Sequence, residues 1–528
     1  MNIIDRLIEP FSPQRVLSRE KSRAALAALR TVNSGYDRHG ASRQKKSLIG
    51  WLSRGGSPDE DIVENLETLR ERSRDLFMGT PLAVGALKTI RTNVIGRGLR
   101  LNASIDYEFL GMTADEADAW EVGVEREFRM WAESTHCDAA RKCSFGQLQG
   151  LALLSALANG DCFVALPVIR RPGSVYDLRV SLLEGDRVCN PFPMPPGRDI
   201  LGGIEMGEHG EHVAAWVAQR HPLAVVARGA ARPNEWRRVP FYGARTGRPN
   251  LLHIAQDWER PGQRRATPLL APVIETLKQL GRYTDAELMG AVVSSMFTVF
   301  VKSNTPSSPL SPVIPMGEQV GQGDPGSYEL GSGAIVGLGD NEDVTIANPG
   351  RANTAFDSYV MAFCRQVGAA IELPYELLIK HFTASYSASR AALLEAWKMF
   401  HMRREWMVRT FCQPIYEEWL SEAVAKGRVQ APGFFEDPAV RAAWCGADWY
   451  GPAQGQLNPL NEANAARVRV EEGFSTREKE AAEISGMAWE DIQPVRAREE
   501  AQRRRDGTIK AQTDFALPEN GERGDEDQ

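Results

Sequence analysis

The stretch Asp257-Trp-Glu-Arg-Pro-Gly-Gln-Arg-Arg-Ala-Thr-Pro-Leu-Leu-Ala-Pro272 joins a loop to a helix. Its first half, around Arg260-Pro-Gly-Gln, has loop composition. Its second half opens a helix, with Thr267 as cap and Pro268 and Pro272 in the first turns, where a missing N–H is tolerated. The helical pattern continues from Thr267 to about Phe300, roughly 40–50 Å at 1.5 Å per residue. Gly281 and the capping signal Thr284-Asp-Ala-Glu287 leave room for a kink near its middle. Ala286, Gly290 and Ser294 fall at i, i+4 and i+8 along it, with Ala291 and Ser295 beside them. Small residues in one stripe let a neighbouring backbone approach closely. Spacing alone leaves open whether that backbone belongs to the same chain or to another subunit.

Upstream, the pattern mixes helices and strands. Leu66 to Met78 reads as a surface helix ended by the Gly79-Thr-Pro81 turn. Thr113-Ala-Asp-Glu116 is a capping box, followed by Trp120, Val124, Phe128 and Trp131 at helical spacing, so a core-facing helix is expected. A second helix runs from near Ser144 to Asn159-Gly160, and Cys162 to Ile169 is strand-like. Strands continue through Leu178 to Leu183 and into a hairpin, Gly203 to Met206 and His212 to Ala218 around the turn Gly207-Glu-His-Gly210. Pro191 to Gly203 and Leu223 to Arg248 read as loops.

Downstream, Ser303 to Gly350 is rich in Pro, Gly and Ser and reads as a small β-containing module. Thr354-Ala-Phe-Asp357 starts a helix whose apolar face is Phe356, Tyr359, Val360, Phe363, Val367 and Ile371, and which stops before Pro374. Phe382 to Ser389 reads as a loop, and a long helix runs from about Ser389 towards Ala425, with Pro414 expected to kink it. Past Pro459 the chain is helical again, with Gly473 and Gly486 ending helices and Ser475-Thr-Arg-Glu478 a capping box.

At 528 residues the chain exceeds the ~250–300 at which single cores stop growing, so two or more domains are expected. The net charge of −7 speaks against a protein whose main work is gripping nucleic acid. It does not speak against a conduit, in which many strong phosphate contacts would hinder sliding. Met1 to Gly56 is basic and Glu519 to Gln528 acidic, and both ends read as solvated arms. Seven scattered cysteines without a CxxC pair fit a reducing cytoplasm. There is no signal-peptide pattern, and the longest nearly apolar run, Leu288 to Val301, is too short to span a bilayer.

Familiar chemistry is absent from the sequence: no GxxxxGK[ST] loop, no HExxH, no GxSxG elbow. No catalytic or metal-binding residue is assigned, and no cofactor is expected. Glu208-His-Gly-Glu-His212 offers metal-binding atoms but sits at a hairpin turn. His136, Cys137 and Cys143 lack a fourth ligand at zinc-finger spacing. Arg503-Arg-Arg505 suits phosphates, yet cations at a helix C-terminus are also favoured by its dipole.

The opening stretch, together with Leu373-Pro-Tyr-Glu-Leu-Leu378 and Tyr386-Ser-Ala-Ser-Arg-Ala391, resembles the lambda-type bacteriophage portal proteins. The resemblance extends in order from about Tyr36 to about Arg505, through Leu69-Arg-Glu-Arg-Ser-Arg-Asp-Leu76, Asn93-Val-Ile-Gly-Arg-Gly98, Trp131 to Asp138 and Gln456-Leu-Asn-Pro-Leu460. In the 301–352 region, Tyr328 to Val336 and Asp343 to Pro349 follow the family, whereas Asn304 to Gly326 departs from it.

The resemblance implies an α+β portal fold with an α/β wing, long stem helices, a small β-containing clip and a helical crown, assembled as a ring of about twelve subunits. Chain order then gives an arm at 1–57, wing at 58–265, first stem helix at 266–300 and clip at 301–352. The second stem helix follows at 353–373, the tunnel loop at 374–389, the kinked helix and wing return at 390–455, the crown at 456–510 and an acidic tail at 511–528. In the tunnel loop Lys380 and His381 are candidates to face DNA, and in the stem the resemblance assigns Ala286, Gly290 and Ser294 to a subunit contact.

The implied role is a gate at one vertex of the virion head, built in the host cytoplasm, through which double-stranded DNA passes without sequence specificity. Its implied partners are the terminase large subunit, major capsid and scaffold or protease proteins, and head-completion and tail proteins, with no membrane. An alternative from another class is a phage nuclease whose metal-holding residues converge only in three dimensions.

Overall fold

In the computed structural model of the chain, the described residues are 12–14, 17–19, 21–23, 55–195, 199–222, 235–255, 257–295, 299–302, 335–338, 355–382, 385–454, 459–485 and 489–506. Two units divide the chain, Met1–Ser57 and Pro58–Gln528. The described pieces of the first are mostly helical, with Ser22 Oγ donating to Ser18 O.

Helix α1, Pro58–Gly79, begins with Asp59, Glu60 and Asp61, which complement the positive end of its dipole, and it buries Ile62, Leu66, Arg70, Ser73 and Leu76 along one face. The turn at Thr80 leads into α2, Pro81–Val94, with proline at its start. Strand β1, Arg100–Ala103, and the short α3, Tyr107–Leu110, lead to α4, Ala114–Glu133, whose Thr113–Glu116 capping box forms as the sequence foretells. Helix α5, Phe145–Asn159, buries residues on nearly every side and forms the centre of the main core.

Gly160 turns the chain into β2, Asp161–Ala165, which lies between β3, Ser181–Glu184, and a later strand. A four-stranded antiparallel sheet follows: β4, Ile200–Leu201; β5, Ile204–Met206; β6, His212–Ala218; and β7, Trp236–Pro240. Strand β8, Leu251–Ala255, then closes the first sheet against β2. The hairpin between β5 and β6 is the one the sequence anticipates. Phe163, Leu183, Val188, Ile204, Ala215, Val217, Phe241 and Leu251 make a second core.

The stretch that follows differs from the sequence expectation. Thr267 does not cap a helix; Leu269 N instead donates to Leu157 O of α5 at 2.9 Å, so the chain docks there before a 3-10 turn at Ala271–Val273. Helix α6 spans Ile274–Ser295 and stops short of Phe300, because the β-branched and aromatic run Val299–Lys302 becomes β9, paired in parallel with β10, Ile335–Leu338. Most of the 301–352 region lies outside the described residues, as do the 511–528 tail and nearly all of the 1–57 arm.

Helix α7, Phe356–Ala370, packs against α6, with Tyr283 stacked on Phe356 at 5.6 Å. The region read as a loop, 374–389, is largely helical: α8 occupies Tyr375–Ile379 and α9 starts at Tyr386, capped by Ser385 Oγ. Pro374 ends one helix but also supplies the fixed φ that starts the next. Helix α9, Tyr386–Met407, runs through a π-helical turn at Val408–Cys412 into α10, Gln413–Ala425. Pro414 has no N–H to donate and crowds the carbonyl four residues back, and the π turn absorbs both effects.

Helix α10 drives Ile415, Tyr416, Trp419 and Leu420 into the core. There Phe128, Phe145, Phe411, Tyr416, Trp419 and Trp449 pack edge-to-face and stacked, with neighbouring centroids at 5.0–6.3 Å. Helix α11, Pro438–Trp444, and β11, Ala447–Tyr450, return the chain to pair with β1. Helices α12, Pro459–Glu471, α13, Arg477–Ser485, and α14, Trp489–Arg505, complete it. Arg469 clamps α12 to α13 through Glu480 at 2.6–2.7 Å.

Candidate functional site

The opening stretch turns out to be the hub of a buried charge network. Asp161 is the first residue of β2 and fully buried. Its carboxylate accepts from Arg265 Nε and Nη2 at 2.7 and 2.9 Å, from Arg70 Nη2 at 2.6 Å, and from His253 Nε2 at 3.2 Å. Burial opposes ionisation, but Arg265, then Arg70 and the hydrogen bonds from Arg265 and His253, outweigh it and hold Asp161 well below the usual carboxylate range.

The remaining donors of Arg265 are met by backbone, and those of Arg70 by backbone and by Asp186 at 3.2 Å. Arg265 also reaches the carbonyls of Val188, Gly202 and Gly185, and Arg70 that of Asn159. Burial, then repulsion from Arg265, lowers the Arg70 pKa to about 10. Two further arginines of the stretch grip the start of α1: Arg260 pairs with Asp61 at 2.5 Å, and Arg264 with Asp59 at 3.0 Å and Asp199 at 2.7 Å. Gly160 is indispensable to this arrangement, since at φ +90° a Cβ there would meet Ala266 O at 2.1 Å.

A layer of rings lies beside the clamp. His253 stacks on Phe163 with centroids 4.3 Å apart, and His212 lies 5.5 Å from His253 and 6.0 Å from Trp258. Burial lowers the His212 pKa to about 4, helped by His253, Arg264 and Arg265. His253 is lowered as well, by burial first, against the pull of Asp161.

Lys380 and His381 sit side by side at the end of α8, both exposed. The helix beneath them is firmly seated: Ile371, Leu373 and Leu378 belong to the main core, and the Lys380 and His381 amides both donate to Glu376 O. On α6, Ala286 is exposed, and a Cβ at Gly290 would meet nothing within 4 Å. Leu288 and Met289 beside them are 64% and 60% exposed. Ser294 lies in the last turn of the same helix.

The structure does not bring Lys380 and His381 into the Asp161 network. Cys137 is buried, and its thiol faces the carbonyls of Ala132 and Cys143. Glu211 closes the hairpin turn by accepting from His209 N at 2.9 Å, and His212 is half-buried beside Phe241, His253 and Trp258. Glu184, Asp186 and His221 approach one another closely enough to hold a cation, but Arg70 and Arg74 already pair with those carboxylates. Sequence reasoning missed Asp161, although a signal existed: an acid heading an otherwise apolar strand, Asp-Cys-Phe-Val-Ala, needs a buried cation.

Comparison with known proteins now bears on this arrangement. The sequence profile described as phage portal protein, lambda family, matches residues 44–404. The chain belongs to the lambda family of phage portal proteins. The portal protein of Escherichia phage N15 is 24% identical over 87% of this chain and 89% of its own length, and portal protein B of Escherichia phage lambda 23% identical over 87% and 88%. A probable portal protein of Halomonas phage phiHAP-1 is 22% identical over 81% and 80%. Among solved structures, the neck of a native gene transfer agent particle, computed with C12 symmetry, aligns with 79% of this chain and 92% of its own at 13% identity and a TM-score of 0.39. This portal protein has an α+β fold, and the profile match contains both the Asp161 clamp and the exposed end of α8. Among the described residues, no helix is long and apolar enough to cross a membrane.

Proposed function

We propose that this portal protein assembles into a ring of about twelve subunits whose axial channel carries double-stranded DNA into and out of the head. The observation that carries the reading is the exposed apolar face of α6. Leu288 and Met289 stand in solvent in the single chain beside the small residues Ala286 and Gly290, while another face of the helix packs on α7. An apolar face of this kind on a soluble chain fits burial by a neighbouring copy.

In this reading 58–265 is wing, α6 and α7 are stem, 301–352 is clip, the end of α8 lines the channel, α9 and α10 return to the wing, and α12 to α14 form the crown. The clip meets the terminase large subunit during packaging and head-completion and tail proteins afterwards, and the wing meets capsid and scaffold or protease proteins. The ring sits at one vertex of the virion head after assembly in the host cytoplasm. It acts as a passive conduit, and the motor supplies the chemistry.

Gly290→Leu and Leu288→Asp test the ring. Overpacking commonly costs ~1–3 kcal/mol per site, repeated at every interface. Both variants are expected to sediment as small species with unchanged circular dichroism. Large rings at wild-type yield from both would remove α6 from the subunit contact.

A further inference from the structure

The rings beside the Asp161 clamp come from two different sheets. His253 lies on β8 of the three-stranded sheet and His212 on β6 of the four-stranded one, with centroids 5.5 Å apart. Trp258 meets both edge-to-face, at 5.5 Å from His253 and 6.0 Å from His212. Phe163 stacks on His253, and Phe241 lies 5.6 Å from His212. The second core, where Phe163 and Leu251 of one sheet meet Ile204, Ala215 and Val217 of the other, is small. The ring pair, with Arg265 reaching the carbonyls of Val188 and Gly202, therefore carries much of the attachment between the sheets.

This site is built against added positive charge. Asp161 is ionised, so His253 Nε2 carries the proton it donates and Nδ1 is bare; that atom is buried without a hydrogen-bond partner among the described residues. A proton on it would make a buried N–H with no acceptor, close to the Arg265 guanidinium. His212 feels burial first, then His253, Arg264 and Arg265, with Asp161 opposing them. The carboxylates on the surrounding elements already serve other donors. Asp161 is shared by Arg70 and Arg265, and Asp59 and Asp199 pair with Arg264. Glu205 pairs with Arg238, and Glu211 turns back to the His209 amide.

We infer that the His212–His253 pair is an acid-sensitive joint, which fastens the four-stranded sheet to the body while both rings are neutral and loosens it, with the main core intact, when either takes a proton. The joint belongs to the single chain and works with or without a ring of subunits. Both imidazoles bind a proton less readily in the closed joint than in water, so the open form takes it up and opening grows as pH falls. With His212 at about 4 when closed and near 6.5 when open, opening at pH 5.0 exceeds that at pH 7.5 by roughly ten- to thirtyfold.

Hydrogen exchange of the full-length protein at the two pH values, corrected for the intrinsic pH dependence of amide exchange, provides the test. Strands β6 and β7 are expected to lose protection by that factor at pH 5.0, while α5 and α10 keep theirs. His212→Phe and His212→Gln, neither of which can take the charge, should remove most of the response. His221→Gln, just past the end of β6 and beside Asp186, should retain it. Equal loss of protection in α5 would show general acid unfolding through the clamp, and a response of wild-type size in both His212 variants would assign it to other groups. Either result overturns the inference, as does unchanged protection of β6 and β7 at pH 5.0.

Discussion

Asp161 carries a disproportionate share of the local fold's integrity, because three cationic or polar partners from α1, β8 and the Arg264–Arg265 stretch converge on one carboxylate. Asp161→Asn leaves the buried Arg265 guanidinium without its counter-charge and Arg70 with Asp186 alone, and removing one partner of a buried ionic group costs ~3–5 kcal/mol. A marked drop in thermal unfolding midpoint is expected, and a midpoint within a degree of wild type would contradict it. The pH dependence follows from the direction of each shift. Asp161 is depressed when folded, so its contribution is present above the unfolded value near 4 and is lost as pH falls through the folded value. His212 titrates at about 4 when folded and near 6.5 when unfolded. Between those values the unfolded chain binds the extra proton, so stability falls as pH drops through that window, by at most about 3 kcal/mol. His212→Phe should flatten the unfolding midpoint between pH 7 and pH 4.5 relative to wild type. An identical slope would place the sensitivity elsewhere, with His253 the first group to examine.

Among the elements, helices with local signals were legible. The Thr113 capping box, the Gly79-Thr-Pro81 break and the β5–β6 hairpin follow from residues within a few positions of each other. Two stretches were misread because their conformation is set by distant partners. Thr267 to Leu270 has the composition of a helix start, but Leu157 O captures the Leu269 amide and delays the helix to Ile274. Chain order in the resemblance assigns 374–389 to a loop, yet Tyr375–Ile379 is helical, with Leu373 and Leu378 buried in the main core and holding it. The strand pattern signals a buried acid at Asp161, but its partners were illegible, since Arg70 and Arg265 lie 91 and 104 residues away in sequence. Gly160 joins these scales. Gly160→Ala forces a Cβ against Ala266 O, and with the unfavourable φ it should cost more than ~2 kcal/mol. Soluble yield and unfolding midpoint of that variant report the effect, and wild-type values for both would mean that the α5–β2 turn relaxes freely.

For the molecule as a whole, family membership and a fold built around two cores are established, while the ring is the proposal that would give its exposed surfaces a purpose. Leu288 and Met289 of α6, the anchored but solvent-facing end of α8, and a 1080 Å³ cleft bordered by α9, β11, α12 and α13 are the exposed features that the proposed ring has to account for. Sequence could identify the stripe Ala286, Gly290 and Ser294 but not its side of contact, since periodicity is the same for a neighbour within the chain and one beyond it. Native mass spectrometry of the purified full-length protein tests the central claim most directly. The account predicts a closed species of roughly 700 kDa, about twelve times the 58.4-kDa chain, whereas a monomer or dimer persisting at every concentration would contradict it.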